Sequence, residues 1–147
     1  MQNMLMFADS IRAQGEFYLP LGDSKVSFVY ARDIAAVGVV ALTEKGHENQ
    51  TYLITGGQAL DCNELANILS EVAGKEVRYA DVPLDSAKQG MMGAGLHEKL
   101  ADMMNELYAL GPDGHLAYIM DTVEKVSGRP PRAFRQFAED YSEAFKG

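Results

Sequence analysis

The sequence predicts an α/β or α+β layered fold in a single domain covering residues 1–147. Two observations carry this prediction. A β-rich segment, Thr51–Thr55, is followed by a helical pattern in which apolar residues recur at i, i+3, i+4 and i+7 from Leu65 onward. Asp61 and Glu64 have the spacing of a capping box at the start of that helix. Strands that alternate with helices in this way build layered domains.

The elements before this pair are predicted by the same spacing rules. A helix over Met1–Ala13 ends at Gly15, an extended segment follows over Phe17–Pro20, and Val26–Val29 is a strand. A second helix is predicted over Ala31–Thr43. Apolar residues surround this helix almost completely, so we expect it to be deeply buried.

The later elements continue the alternation. In chain order they are a helix ending at Gly74, a strand over Glu76–Val82, helices near Leu84–Met92 and Leu96–Leu110, a short helix with capping-box spacing at Asp121 and Glu124 that ends at Gly128, and a last helix from about Pro131. Methionine is frequent in this part. Core filling is the simpler interpretation, and an adaptable apolar pocket or contact face is the alternative, for Met91, Met92, Met103, Met104 and Met120.

Composition disfavours several classes of function. The formal net charge is −8, from 21 acidic and 13 basic residues, and nucleic-acid binding needs a clustered basic surface. The one basic cluster, Arg129, Arg132 and Arg135, is interpreted as a solvated helix face. Cys62 is the only cysteine, so no intrachain disulfide forms and a reducing, cytoplasmic location is expected. No segment has the pattern of a signal peptide or a membrane span.

Motifs for cofactor, metal or nucleophile chemistry do not stand out. The segment Gly90–Gly95 has its glycines in the wrong order for a dinucleotide fingerprint and follows a helical stretch. No tyrosine has a lysine four positions later, the pair that lowers a phenol pKa for proton transfer. His47, His97 and His115 are isolated, and Cys62 is interpreted as a small structural residue. We therefore predict no catalytic, cofactor-binding or metal-binding residue in this chain.

An ordered set of segments nevertheless resembles one family. The segments are the opening MQNML, residues 28–35 (FVYARDIA), residues 51–56 (TYLITG), residues 65–74 with 77–82, and residues 128–131 (GRPP) with Phe134 and Phe137. Together they resemble the NmrA-like branch of the atypical short-chain dehydrogenase/reductases. In that family an N-terminal Rossmann sheet binds NAD(P)H and the C-terminal part shapes the substrate pocket. Some members reduce small substrates such as quinones, and others are redox-responsive regulators.

The resemblance begins past the middle of the family, so it implies a partial Rossmann-like remnant with a helical substrate-side lobe. Without the glycine-rich fingerprint, no NAD(P)H binding is expected for this chain alone. The first hypothesis is a non-catalytic module that binds a small molecule or a protein. The alternative is an NAD(P)H-dependent quinone-type oxidoreductase, active through a site completed by a dimer or by a separate nucleotide-binding chain. A regulatory protein that holds a partner is the third.

The resemblance also suggests a pocket and an interface. The positions of Asn3 and Tyr30 lie near nicotinamide and substrate in the family, and they are the predicted pocket residues. Tyr30 replaces a usual acidic residue, and a buried tyrosine with a satisfied hydroxyl is the competing interpretation. Asp33 is expected to cap or anchor the following helix. The first helix and the Tyr52–Thr55 strand would expose apolar surface, which predicts a homodimer or a partner protein on that face.

Overall fold

A computed structural model describes all 147 residues of the chain. A short 3-10 helix, eight α-helices and two strands make up its regular structure. In chain order they are the 3-10 helix Gln2–Phe7, α1 Ala8–Gln14, β1 Glu16–Leu19, α2 Ala31–Thr43, α3 Cys62–Ala73, β2 Arg78–Asp81, α4 Leu84–Gly93, α5 Glu98–Tyr108, α6 Thr122–Ser127, α7 Phe134–Asp140 and α8 Ser142–Phe145.

The two strands form a parallel sheet. Glu16 lies opposite Arg78 and Leu19 lies opposite Asp81. Parallel strands require a crossover connection, and α2 and α3 lie in the chain between β1 and β2. α3 packs against β2 and also against α7 and α8. The α/β architecture predicted from the sequence is therefore confirmed.

One hydrophobic core joins the sheet, α1, α3 and the C-terminal helices. Its fully buried side chains include Phe17 on β1, Leu65 on α3 and Phe137 on α7. The Phe137 ring centroid lies 5.4 Å from that of Phe134 and 6.2 Å from that of Phe145. Burying such a side chain is worth about 1.5–3 kcal/mol. This aromatic cluster therefore accounts for much of the packing of α7 and α8 onto α3.

The predicted capping box of α3 is confirmed. The Asp61 carboxylate accepts a 2.9 Å hydrogen bond from the Glu64 backbone N–H, and the Glu64 carboxylate accepts one of 2.9 Å from the Asp61 N–H. These bonds satisfy two backbone donors that the first helical turn would leave free. Gly74 ends the helix in the left-handed conformation, with φ 69°, where glycine has no steric penalty.

Two predicted strands are absent. Val26–Val29 forms only an isolated antiparallel bridge, between Val26 and Leu60. Thr51–Thr55 is not part of any sheet, and none of its backbone groups bonds to another backbone group. The physical reason is that a strand exists only with a hydrogen-bonded neighbour, and this chain brings no second strand beside Thr51–Thr55.

The prediction that α2 is deeply buried is wrong. Only Asp33 and Val37 are buried on this helix, whereas Val39 is 59% exposed and Leu42 is 88% exposed. α2 packs on one side, against α6. Apolar residues on every side of a helix show that it could be buried completely. The helix stays exposed unless other elements pack on both of its sides.

Two helix boundaries and one helix cap also differ from their predictions. The first predicted helix is split into the 3-10 helix and α1. Asp121 makes no side-chain capping bond to α6, so the second capping box is wrong. The last predicted helix begins at Phe134 and is interrupted at Tyr141. None of the helices is both long and apolar enough to cross a bilayer.

Core filling is the wrong interpretation of the five methionines between Met91 and Met120. Met4 is the buried methionine of the chain, and none of those five belongs to the core. Met103, for example, is 58% exposed on α5. Met92, Met103 and Met120 are therefore exposed enough to contact another molecule.

Candidate functional site

An open cleft of about 650 Å³ lies where β1 and β2 both end. Its wall comprises residues 20–25 after β1, residues 81, 82 and 84 at the end of β2, and residues 111, 112, 114 and 117 after α5. In α/β proteins, ligands commonly bind beyond the carboxyl ends of parallel strands. The position of the cleft in the fold therefore makes it a candidate binding site.

Asp81 and Tyr79 fix the shape of this cleft. Asp81 Oδ1 accepts a 2.9 Å hydrogen bond from the Gly22 backbone N–H and lies 2.9 Å from the Tyr79 hydroxyl. The same hydroxyl lies 2.9 Å from the Leu19 carbonyl oxygen and accepts from the Leu21 N–H at 3.3 Å. Burial, followed by the bond to Asp81, raises the pKa of Tyr79. Tyr79 therefore stays protonated and holds the turn after β1 against β2.

The charges of the cleft do not fit a dinucleotide pyrophosphate. Asp23 and Asp81 are both acidic and line the cleft. Its one lysine, Lys25, pairs with Glu64 at 3.2 Å, and the Gly22 N–H is already bonded to Asp81. Pyrophosphate binding needs free backbone N–H groups at a helix N-terminus, without neighbouring carboxylates. The cleft therefore lacks the free donors that hold a pyrophosphate.

The sequence alone does not reveal this cleft. Its signal was present, because Asp81 lies at the end of a predicted strand and Gly22 follows a predicted extended segment. What the sequence did not show is that the two segments are parallel neighbours, which brings their carboxyl ends together.

Tyr30 lies in the core and not on the cleft. It is fully buried immediately before α2, and its ring meets the Phe137 ring nearly edge-on, at 85° and 5.8 Å. Its hydroxyl donates a 2.8 Å hydrogen bond to Asp140 Oδ2. Tyr30 thus has the arrangement that its competing interpretation describes, a buried ring with a satisfied hydroxyl.

Asn3 is exposed on the 3-10 helix. The Ala31 backbone N–H donates a 3.0 Å hydrogen bond to the Gln2 side chain, so the chain around Asn3 lies beside the start of α2. Neither Asn3 nor Tyr30 lines the 650 Å³ cleft. That these two residues share a ligand pocket stays a prediction.

Charged groups around Tyr30 tie α2 to the C-terminal part of the chain. Asp33 is 2% exposed and accepts hydrogen bonds from both the backbone and the guanidinium of Arg132, the backbone bond being 2.8 Å. Arg32 pairs with Asp140 at 3.0 Å. The predicted role of Asp33 as an anchor of α2 is confirmed, because its carboxylate fixes the helix to the segment before α7.

The pKa values of the Tyr30–Asp140 pair move apart. Burial and the bond to Asp140 raise the pKa of Tyr30 to about 12. The Tyr30 hydroxyl, followed by Gln136, lowers the pKa of Asp140. At neutral pH Asp140 is therefore ionised and Tyr30 is a neutral donor, which is a structural arrangement.

Cys62 and the histidines occupy separate places. Cys62 is fully buried, and burial raises the pKa of its thiol to about 12, which suppresses the reactive thiolate. His47 Nδ1 lies 2.6 Å from the Tyr52 hydroxyl, whereas His97 Nδ1 accepts from the Lys99 N–H at the start of α5. No group of three His, Cys, Asp or Glu side chains is arranged so that it could hold a metal ion.

Comparison with known proteins defines the family of this chain. The sequence profile of the NmrA-like family matches residues 1–138. The chain therefore belongs to the NmrA-like family, as its segments predict.

Two relatives are named reductases. The NAD(P)H azoreductase of Xenophilus azovorans is 58% identical over 145 residues, which are 99% of this chain and 51% of that protein. A (4-alkanoyl-5-oxo-2,5-dihydrofuran-3-yl)methyl phosphate reductase of Streptomyces griseus is 34% identical over the same share of both. The chain spans about half the length of these curated relatives.

The chain also matches about half of the length of solved structures. The chain is similar to an NADPH-dependent quinone oxidoreductase of Escherichia coli, with a TM-score of 0.83 and 28% identity over 99% of this chain and 52% of that one. The NADPH complex of that enzyme matches with a TM-score of 0.84 over 95% of this chain and 49% of that one. The triphenylmethane reductase of Citrobacter matches with a TM-score of 0.77. The fold is therefore a partial Rossmann-like α/β fold.

Proposed function

We propose that the chain forms the substrate-side part of an NAD(P)H-dependent reductase of conjugated acceptors such as azo compounds or quinones. The observation that carries this proposal is its 58% identity to the Xenophilus azovorans azoreductase along 99% of the chain. It favours the oxidoreductase alternative of the sequence analysis over a non-catalytic module.

The surface that supports an acceptor of this class lies on α5. Leu100, Met103 and Leu107 are exposed there at i, i+3 and i+7, so they share one face of the helix. We name these three residues the α5 stripe. Flexible thioethers and leucines pack well on flat aromatic rings. The stripe is the contact that we assign to the conjugated acceptor.

The nucleotide requires polypeptide beyond these residues. The cleft at the strand ends does not fit a pyrophosphate, and its acidic side chains would repel one. The relatives are about twice as long as the matched region, and we assign cofactor binding to a counterpart of their remaining half. The chain alone is then expected to leave NADPH fluorescence unchanged.

A chimera tests this proposal. In it, this chain replaces the matched half of the Xenophilus azovorans azoreductase, and NADPH oxidation is measured with a quinone and with an azo dye. We expect acceptor-dependent NADPH oxidation by the chimera and none by the chain alone. A folded chimera that binds NADPH but reduces neither acceptor would contradict the proposal and favour the non-catalytic module.

A further inference from the structure

α4 and α5 form a helical hairpin that packs mainly on itself. The two helices pack on each other and make at most minor contact with the other helices and strands. We name residues 84–110 the α4–α5 hairpin. α4 has no buried residue and α5 has one, Ala101, which does not belong to the hydrophobic core of the fold. Turning the hairpin relative to the core would therefore expose little apolar surface to water.

Hydrogen bonds leave the α4–α5 hairpin only at its two ends. The Ala87 N–H donates to the Pro83 carbonyl oxygen at the start of α4, and the Gly111 N–H donates to the Tyr108 carbonyl oxygen after α5. Every other hydrogen bond and ion pair of residues 84–110 has both partners inside the hairpin. Segments with few buried contacts and no bonds to their surroundings move at a low cost in free energy.

Polar contacts between α4 and α5 hold the hairpin together as a unit. Lys88 on α4 pairs with two carboxylates of α5, Glu98 at 3.1 Å and Asp102 at 2.6 Å. The side-chain amide of Asn105 on α5 donates a 2.8 Å hydrogen bond to the Leu84 carbonyl oxygen on α4. Because these contacts join the two helices to each other, a motion of one helix carries the other with it.

The two ends of the hairpin are anchored at the cleft. Before α4, the Val82 N–H donates a 3.4 Å hydrogen bond to the Leu19 carbonyl oxygen of β1. After α5, a Cβ on Gly111 would lie 3.0 Å from the Ser24 Cβ, so the backbone there lies against the turn that follows β1. The half-buried Tyr108 side chain packs on the core beside this point. A rigid hairpin that is anchored at two ends can turn about the one axis that joins them.

We propose that the α4–α5 hairpin turns as one unit about the axis through Val82 and Gly111 and thereby changes the width of the cleft. Both residues line the cleft, as does Leu84 at the first position of α4. The opposite wall consists of residues 20–25, and the hydrogen bond from the Gly22 N–H to Asp81 holds this wall to β2. The hairpin therefore moves against a fixed wall.

The α5 stripe belongs to the hairpin, so the same motion changes its position relative to the cleft. A ligand that contacts both the cleft and the hairpin favours the narrow form, by as much as its affinities for the two forms differ. Acceptors of different size are then held by the same surfaces at different angles of the hairpin. The motion itself does not rest on the proposed function, because it follows from the contacts of the hairpin.

Distances between pairs of spin labels measure this motion in the chain alone. Asn67→Cys on α3 with Glu106→Cys on α5 places labels at two exposed positions, one on the core and one on the hairpin. Cys62 is buried and stays unlabelled. We expect the distribution of distances for this pair to be at least about twice as broad as for label pairs within one rigid unit.

Two control pairs define the width for a rigid unit. Gln89→Cys with Glu106→Cys joins α4 to α5 inside the hairpin, and Asp23→Cys with Asn67→Cys joins the opposite wall of the cleft to α3. We expect both control distributions to be narrow. A distribution for the Asn67 and Glu106 pair that is as narrow as the controls would overturn the proposal, and a broad distribution inside the hairpin would show that the hairpin does not move as one unit and would overturn it as well.

Hydrogen exchange separates a hairpin that turns from a hairpin that unfolds. In a rigid turn the amides of α4 and α5 keep their helical hydrogen bonds, so we expect their exchange to be at least about tenfold slower than in an unstructured peptide. A broad distribution of distances together with unprotected helices would show local unfolding and would overturn the proposal. Both measurements use the chain without NADPH or acceptor, so a failure of the proposed function would leave their outcome unchanged.

Discussion

The Tyr30 hydroxyl donates a 2.8 Å hydrogen bond to Asp140 Oδ2 across 110 positions of sequence. This bond joins the residue before α2 to the end of α7, and the guanidinium of Arg32 pairs with the same carboxylate oxygen at 3.0 Å. The start of α2 is therefore fixed to the C-terminal helices by a buried aromatic ring and by charge.

The Tyr30–Asp140 bond predicts a pH signature. Folding raises the pKa of Tyr30 from 10.0 to about 12, so its contribution to stability is complete below pH 10 and is lost as pH rises toward 12. Folding lowers the pKa of Asp140 from 3.8, so its contribution is present above that pH and is lost in more acidic solution. Tyr30→Phe should flatten both limbs of the curve of unfolding free energy against pH, as measured in urea. Unchanged limbs would contradict this account.

Removing Arg132 should be costly. Arg132→Ala leaves the buried Asp33 carboxylate without its cationic partner, and the loss of one partner from a buried pair costs about 3–5 kcal/mol. Because Arg132 is about one-third exposed, we expect the lower end, about 3 kcal/mol, in chemical denaturation. Arg135→Ala is the control. Its pair with Glu71 is exposed, so it should cost less than about 1 kcal/mol.

Replacing glycine by alanine should change the unfolding free energy in opposite directions at two positions. Gly38→Ala meets open space inside α2 and should raise the unfolding free energy of the chain by up to about 1 kcal/mol. A Cβ on Gly56 would clash with the Phe28 carbonyl oxygen, so Gly56→Ala should lower the unfolding free energy by about 3 kcal/mol. Chemical denaturation of both variants measures these changes in unfolding free energy. A stabilising Gly56→Ala would contradict the prediction and show that the backbone there is free to move.

Cys62 should resist thiol reagents in the folded chain. Burial raises the pKa of its thiol from 9.0 to about 12, which lowers the thiolate fraction at pH 8 by about a thousandfold. We expect no labelling by a disulfide reagent until urea unfolds the protein, with the urea-unfolded chain as the reactive control. Rapid stoichiometric labelling of the native chain would contradict the burial of this side chain.

The α5 stripe should influence acceptor binding in the chimera. Losing one buried apolar contact costs about 1.5–3 kcal/mol, so Leu107→Glu should raise KM for the quinone at least about tenfold and leave the KM for NADPH unchanged. Glu106→Gln, at the neighbouring exposed position, is the control and should change neither constant. Equal KM values for the quinone in Leu107→Glu and in the parent chimera would contradict the assignment of the α5 stripe to the acceptor site.

Much of the local structure follows from the sequence. α2 spans the predicted residues Ala31–Thr43, and the capping box at Asp61 and Glu64 forms as its spacing predicts. These features depend on groups a few residues apart, whose geometry local rules describe. The family resemblance was likewise readable, because it rests on the order of segments along the chain.

The tertiary structure decided what distant residues do. It buried Tyr30 and placed its hydroxyl on Asp140, and it brought the ends of β1 and β2 together to form the cleft. It also left α2 exposed and residues 51–55 without a strand partner. A pattern of side chains shows which segments are able to form a strand or to cover another layer. Whether a segment is buried or paired depends on whether another part of the chain packs against it.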